Sequence, residues 1–237
     1  MERRDFVKLC AASAALGASL RGALAAVDAQ ARLYQRTLLV DQEGRPFKAR
    51  LLQPDRNYLF HYPYAGTPCF LLNLGKPLTQ AVALKTDDGR TYDWQGGVGP
   101  KRTIVSYSAI CAHKLAYPTK QLSFISYKSG AVAKNSRATP NMIHCCAEHS
   151  EYDPAAGAKV MAGPAKQPLA TILLDYDATS DELFAVGTLG GELFDEFFAK
   201  YDFKLSMEHG ANRGKVRVSG TAVVTELTQF CQQEIRC

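Results

Sequence analysis

Four residues stand out for what their side chains can bind. Cys111 and His113 are spaced C-x-H, and Cys146 and His149 are spaced C-x-x-H. The second pair lies in HCCAEHSEYDP, residues 144–154, which holds two histidines, two adjacent cysteines and three carboxylates. Thiolate sulfur and imidazole nitrogen are ligands for soft and borderline metals. Two of each suit a tetrahedral structural zinc or an iron–sulfur cluster with mixed ligation. A competing register would use Cys145, but residue 148 is then Glu where an imidazole is needed. Cys146 is therefore the expected ligand and Cys145 the alternative.

The segments that must position these residues read mostly as strands. RTLLV (36–40), a DQEGRP turn and FKARLL (47–52) suggest a hairpin, and TPCFLLNLG (67–75) a buried strand. RTIVSYSAI (102–110) leads directly into Cys111. QLSFISY (121–127), ATILLDYD (170–177) and ELFAVG (182–187) come after it. Short β-rich runs separated by Gly, Asp and Pro predict an antiparallel, mainly β domain. Two late segments have helical period instead: ELFDEFFAKY, and VVTELTQFC with Val223, Val224, Leu227, Phe230 and Cys231. The main domain is expected over 32–207, with 208–237 as a C-terminal extension.

The chain has 237 residues and a net charge of +5, of which the first 21 residues carry +2. No basic stripe interleaved with aromatics is present, so nucleic acid is not an expected partner. The N-terminus, MERRDFVKLCAASAALGASL, has Arg3-Arg4 two residues before Phe6, then Lys8 and an apolar run. It resembles a twin-arginine export signal, with Ala23-Leu24-Ala25 as a small-x-small cleavage site. Residues 1–31 are expected to be that signal or an uncleaved anchor, which places the protein in the periplasm or on the periplasmic face of the inner membrane. Seven cysteines in an exported chain raise the question of disulfides. Cys231 and Cys237 are the preferred pair, which requires the last helix to end near Cys231.

The surroundings of the ligands carry a resemblance. HSEYDPAAGAKVMAGPAKQPLATILL resembles the second ligand box of the Rieske [2Fe–2S] proteins, with its hairpin, G-P-A turn and Pro/Leu strand. RTIVSYSAICAH is similar to the strand entering the first box, and GTPCFLLNLG to an earlier strand. The similarity runs over about residues 56–190. It implies an antiparallel β base domain with a small cluster-binding subdomain inserted between its strands. The cluster loops would be 111–115 and 145–154, with Cys111, His113, Cys146 and His149 as ligands. Ser150 and Tyr152 would tune the cluster by hydrogen bonds to sulfur. Gly163-Pro164-Ala165 would be the loop that covers it, with Pro164 against the site. The function implied is a one-electron carrier, the small subunit of a redox complex with a molybdoenzyme or a cytochrome. A Rieske subunit of a cytochrome bc-type quinol oxidoreductase and a non-redox zinc module are the alternatives.

Four departures from the family pattern stand out. Neither box has the extra cysteine that ties the two loops together in quinol-oxidising members. Residues 114–145 form a longer insertion than usual, expected as a hairpin or loop beside the cluster. Ser150 and Tyr152 each stand one position closer to His149 than the pattern requires. Lys114 also comes directly after the first-box histidine, where quinol-oxidising members have an apolar docking residue.

Overall fold

The computed structural model describes residues 29–130 and 139–236. The signal segment with Arg3 and Arg4, its cleavage site, the centre of the 114–145 insertion and Cys237 lie outside the described residues. The base begins with β1 (Arg32–Val40), β2 (Tyr58–His61) and β3 (Pro68–Asn73). A side hairpin, β4 (Val82–Lys85) and β5 (Thr91–Trp94), precedes β6 (Ile104–Ser108). The chain then leaves the base for β7 (Leu122–Ser123), β8 (Ile125–Lys128), β9 (Met142–Cys145), β10 (Ser150–Asp153) and β11 (Lys159–Ala162). It returns with β12 (Thr171–Asp177) and β13 (Glu182–Leu189), and then forms helix α1 (Phe194–His209). The tail contains β14 (Gly220–Val223), β15 (Thr225–Glu226), the single turn α2 (Leu227–Phe230) and β16 (Gln233–Glu234).

The fold is mainly β, as the patterning predicts. Eight strands form the base in the order β14-β1-β13-β12-β6-β3-β2-β15, and four form a smaller sheet, β11-β10-β9-β8. The small sheet is inserted between β6 and β12, which are themselves paired at Tyr107 and Thr171. A subdomain hung between two neighbouring base strands has both its connections anchored in one rigid layer. The expected hairpin within the insertion is present, because β8 pairs antiparallel with β9.

The tail closes the base. β14 pairs parallel with β1, and β15 pairs antiparallel with β2. Only Val224 separates them, and its N–H donates to Val40 O. One segment thus satisfies both open edges, which removes the exposed strand edge that would invite association. The helix expected over 223–231 is confined to Leu227–Phe230, because the preceding residues are taken up by edge pairing. FKARLL is likewise not a paired strand but contains a single 3-10 turn, Ala49–Leu51. The ELFDEFFAKY helix is present, kinks at Tyr201 (φ −113°, ψ 17°) and continues to His209, where Gly210 at φ +90° ends it.

β3 explains how the two layers pack. It is buried on both faces. Cys69 and Leu71 point into the base core with Leu39, Phe60, Tyr62 and Leu183. Phe70 and Leu72 point the other way, into a core shared with the inserted subdomain that includes Ile125, Ile143, Tyr152, Cys111 and Cys145. Two-fold alternation along one strand therefore joins the barrel interior to the site. α1 seals a third cluster with Phe194, Phe197 and Phe198 against Ile110 and Tyr117, just beyond the first ligand loop.

Candidate metal centre

The first ligand loop begins where β6 ends. Ile110 N–H donates to Ser108 Oγ at 3.3 Å, Cys111 N–H to Ala116 O at 2.9 Å, and Leu115 N–H back to Cys111 O at 3.0 Å. Leu115 sits at φ +59°, closing a tight turn that buries Cys111 and leaves the His113 side chain 25% exposed. The second loop is the turn between β9 and β10. Cys145 pairs with Ser150, so Cys146, Ala147, Glu148 and His149 form the turn. Its first residue is held by Cys146 N–H donating to Phe124 O at 2.7 Å.

The pairing decides which side chains face inward. Cys145, Ile143, Ser150 and Tyr152 are all buried toward the base. The thiols of Cys145 and Cys111 are close enough to influence each other's ionisation. Tyr152 Oη accepts the Ala112 N–H at 3.1 Å, which leaves its own proton for Cys111 Sγ at 3.3 Å. Two groups thus act on one sulfur. The neighbouring Cys145 thiol, then the bond with Tyr152, holds the Cys111 thiol below its ordinary value. The same thiol pair and burial push Cys145 up, and burial together with the Cys111 charge raises Tyr152, burial being the larger cause.

Cys146, the expected ligand, is not in this position. It is disulfide-bonded, to a partner outside the described residues, and its sulfur lies 3.4 Å from Ile235 O of the tail. The physical reason is register: once Cys145 faces inward across from Ser150, its neighbour must turn away. Cys231, expected to pair with Cys237, is a free thiol hydrogen-bonded to Gln233 O at 3.2 Å, although α2 does end beside it.

His149 also departs from expectation. It sits at φ +58°, and its ring lies 5.7 Å from that of His144. His144 is buried, and its Nδ1 is 3.9 Å from Glu151 Oε1 on the paired strand. Glu148 reaches the first loop instead: Oε1 is 2.9 Å from Lys114 Nζ and Oε2 is 3.5 Å from His113 Nδ1. The hydrogen bond from Lys114 holds its carboxyl below the usual range. Glu148 is the residue sequence reasoning passed over.

The covering loop is adjacent, as expected, but the contact falls on its glycine. A Cβ at Gly163 (φ +84°) would stand 2.5 Å from His149 O and 2.6 Å from Ser150 Cα. Only glycine permits that approach. Pro164 comes next and is exposed. Among the described residues, no three His, Cys, Asp or Glu side chains stand together as an ion-holding group. Two buried polar atoms at the site nonetheless have no hydrogen-bond partner, His113 Nδ1 and Ser150 Oγ. Buried polar atoms are nearly always paired, so these two fit a group that would supply the missing contacts. The thiols of Cys111 and Cys145 and the His113 imidazole are donors of the types that mixed sulfur and nitrogen ligation uses.

No protein-family model matches the chain. Among solved structures it is similar to the soluble domain of the Rieske protein II (soxF) from Sulfolobus acidocaldarius. The identity is 25%, over 65% of this chain and 78% of that one, with a TM-score of 0.45.

Proposed function

We propose that the chain is an exported one-electron carrier that holds a Rieske-type [2Fe–2S] cluster. In this reading it is the small electron-transfer subunit of a periplasmic or membrane-associated redox complex. The observation that supports it best is the meeting of Cys111 and Cys145 on adjacent loops, flanked by the unpartnered His113 Nδ1 and Ser150 Oγ. When bound, such a cluster takes up and releases one electron. Cys111 and Cys145 would hold its buried side, and His113 with a donor from the 146–149 turn its outer side. Tyr152 donates to the Cys111 sulfur and stabilises negative charge there. Ser150 Oγ, buried and without a hydrogen-bond partner, would do the same from β10. The shared core around Phe70, Ile143 and Tyr152 keeps water from the thiol side, while the partly exposed His113 marks the edge at which an electron partner approaches.

The partner in this reading is a molybdoenzyme large subunit or a cytochrome. Lys114, exposed beside His113 and paired with Glu148, favours a polar protein surface over an apolar quinol at this edge. Membrane association would come from the N-terminal segment.

The test is metal analysis and EPR of the anaerobically purified full-length protein. About two irons and two sulfides per chain, with a paramagnetic signal on reduction, is the expected result. One zinc and no signal would replace this reading with the structural module. Co-purification from membranes, scored for molybdenum and for b- and c-type haem, identifies the partner. One observation favours a second reading: the two free, buried thiols lie near each other on adjacent loops, so they could act as a dithiol–disulfide couple. Iron-free protein that titrates as a two-electron thiol couple would support that instead.

A further inference from the structure

A cavity of about 610 Å³ borders the segment that follows the first ligand loop and shares no residue with the site above. Its volume is in the range of small-molecule sites, about 300–1,000 Å³. Four segments distant in the chain meet around it. His61 ends β2 and is paired with Pro68 of β3, so both stand at one end of the base. Residues 117–121 line it from a second side, and the C-terminal half of α1, with Lys204 and His209, from a third. Phe230 of α2 completes the lining. Part of this lining is aromatic. The His61 ring lies 6.0 Å from that of His209 and 5.9 Å from that of Phe230, at 74° and 51°. Rings at such angles are not stacked on each other, which leaves faces for a flat guest. Neither imidazole hydrogen-bonds another described residue. Burial holds His61 at about 4, so its ring is neutral near pH 7 and has an N–H to donate.

The rest of the lining carries an excess of positive charge. Lys120 has no carboxylate within ion-pair distance among the described residues. The carboxylate beside Lys204 is Glu208, at 3.9 Å, and Glu208 is itself engaged by Tyr117 Oη at 3.4 Å. Lys204 Nζ also stands 5.0 Å from the Tyr117 ring, which holds it against this side of the cavity. Two ammoniums thus share one carboxylate. We propose that the cavity binds a small aromatic monoanion of the aryl carboxylate class. The ring of the ligand lies among His61, His209 and Phe230, and its carboxylate accepts the His61 N–H and faces Lys120 and Lys204. A cationic ring would meet two like charges, and an uncharged one would leave them unanswered. The proposal is independent of the cluster reading, because no residue of the cavity belongs to the thiol pair or to the ligand loops.

The test compares three probes of one shape and different charge: naphthoate, naphthylmethanol and naphthylmethylamine. Each is titrated into the full-length protein by calorimetry, while the five histidines are followed by ¹⁵N NMR and assigned by single substitution. Naphthoate is expected to bind one-to-one, about tenfold tighter than the alcohol, and to move the His61 and His209 signals alone. In the double variant Lys120→Gln and Lys204→Gln, checked for folding by thermal unfolding, that preference should disappear. Naphthoate that does not bind, or that moves His113, His144 or His149 instead, would overturn the proposal. So would equal binding of the three probes, tighter binding of the amine, or a preference that survives in the double variant.

Discussion

Tyr152→Phe tests the reading most sharply, because it removes one oxygen atom from a fully buried ring. The hydroxyl makes two contacts, with Cys111 Sγ at 3.3 Å and with the Ala112 N–H at 3.1 Å. A hydrogen bond to a charged acceptor is worth about 1.5–3 kcal/mol. The reduced cluster carries more negative charge than the oxidised one, so the hydroxyl stabilises the reduced form more. For a one-electron couple about 1.4 kcal/mol corresponds to about 59 mV. If half or more of the bond is gained on reduction, the variant's potential falls by roughly 30–120 mV. Losing the acceptor of the Ala112 N–H should also lower stability by about 1–2 kcal/mol. Film voltammetry, with iron content and thermal unfolding measured on the same sample, reads all three quantities. A fully loaded, folded variant with an unchanged potential would refute the placement of Tyr152 on the cluster sulfur.

Other perturbations draw on the same geometry. Cys145→Ser should abolish iron incorporation, whereas Cys146→Ser should keep it and lose one disulfide by mass; the reverse outcome would restore Cys146 as ligand. His61 is held at about 4, below its ordinary 6.5, by burial first and then by the facing His209. The depressed value means that His61's contribution is fully present above about pH 6.5 and is lost as pH falls toward 4, by up to about 3 kcal/mol. Urea unfolding at pH 7 and 4.5 should therefore show a smaller acid loss in His61→Phe, and equal losses in the two proteins would contradict this. Glu234→Ala leaves the Lys128 ammonium, 2% exposed, without its carboxylate, and should cost about 3–5 kcal/mol. Adding Lys128→Met should recover most of that in chemical denaturation, and no recovery would show that the pair is not the cause.

What the sequence made legible was chemistry and pattern. The β-rich base is readable from residue types and period-two alternation, and the inserted subdomain is what the Rieske resemblance implies; both are present. What it left hidden depends on partners distant in the chain. The run Val223–Cys231 has helical period, yet its first half is a strand because β1 and β2 each have an open edge within reach. Tertiary pairing overrides a local preference of a few tenths of a kcal/mol per residue. The adjacent cysteines posed the harder problem, because neighbouring strand residues point to opposite faces and either could serve. The deciding signal was present as an offset, with Ser150 and Tyr152 one position too close to His149. In the cluster reading, hydroxyls that donate to sulfur would share a face with the ligand cysteine, and β10 carries Ser150 and Tyr152 on the face of Cys145. Moving the register by one residue removes the offset, releases Cys146 to a disulfide and brings Glu148 to His113. Three apparent irregularities thus have one cause, the single-residue placement of the β9–β10 turn.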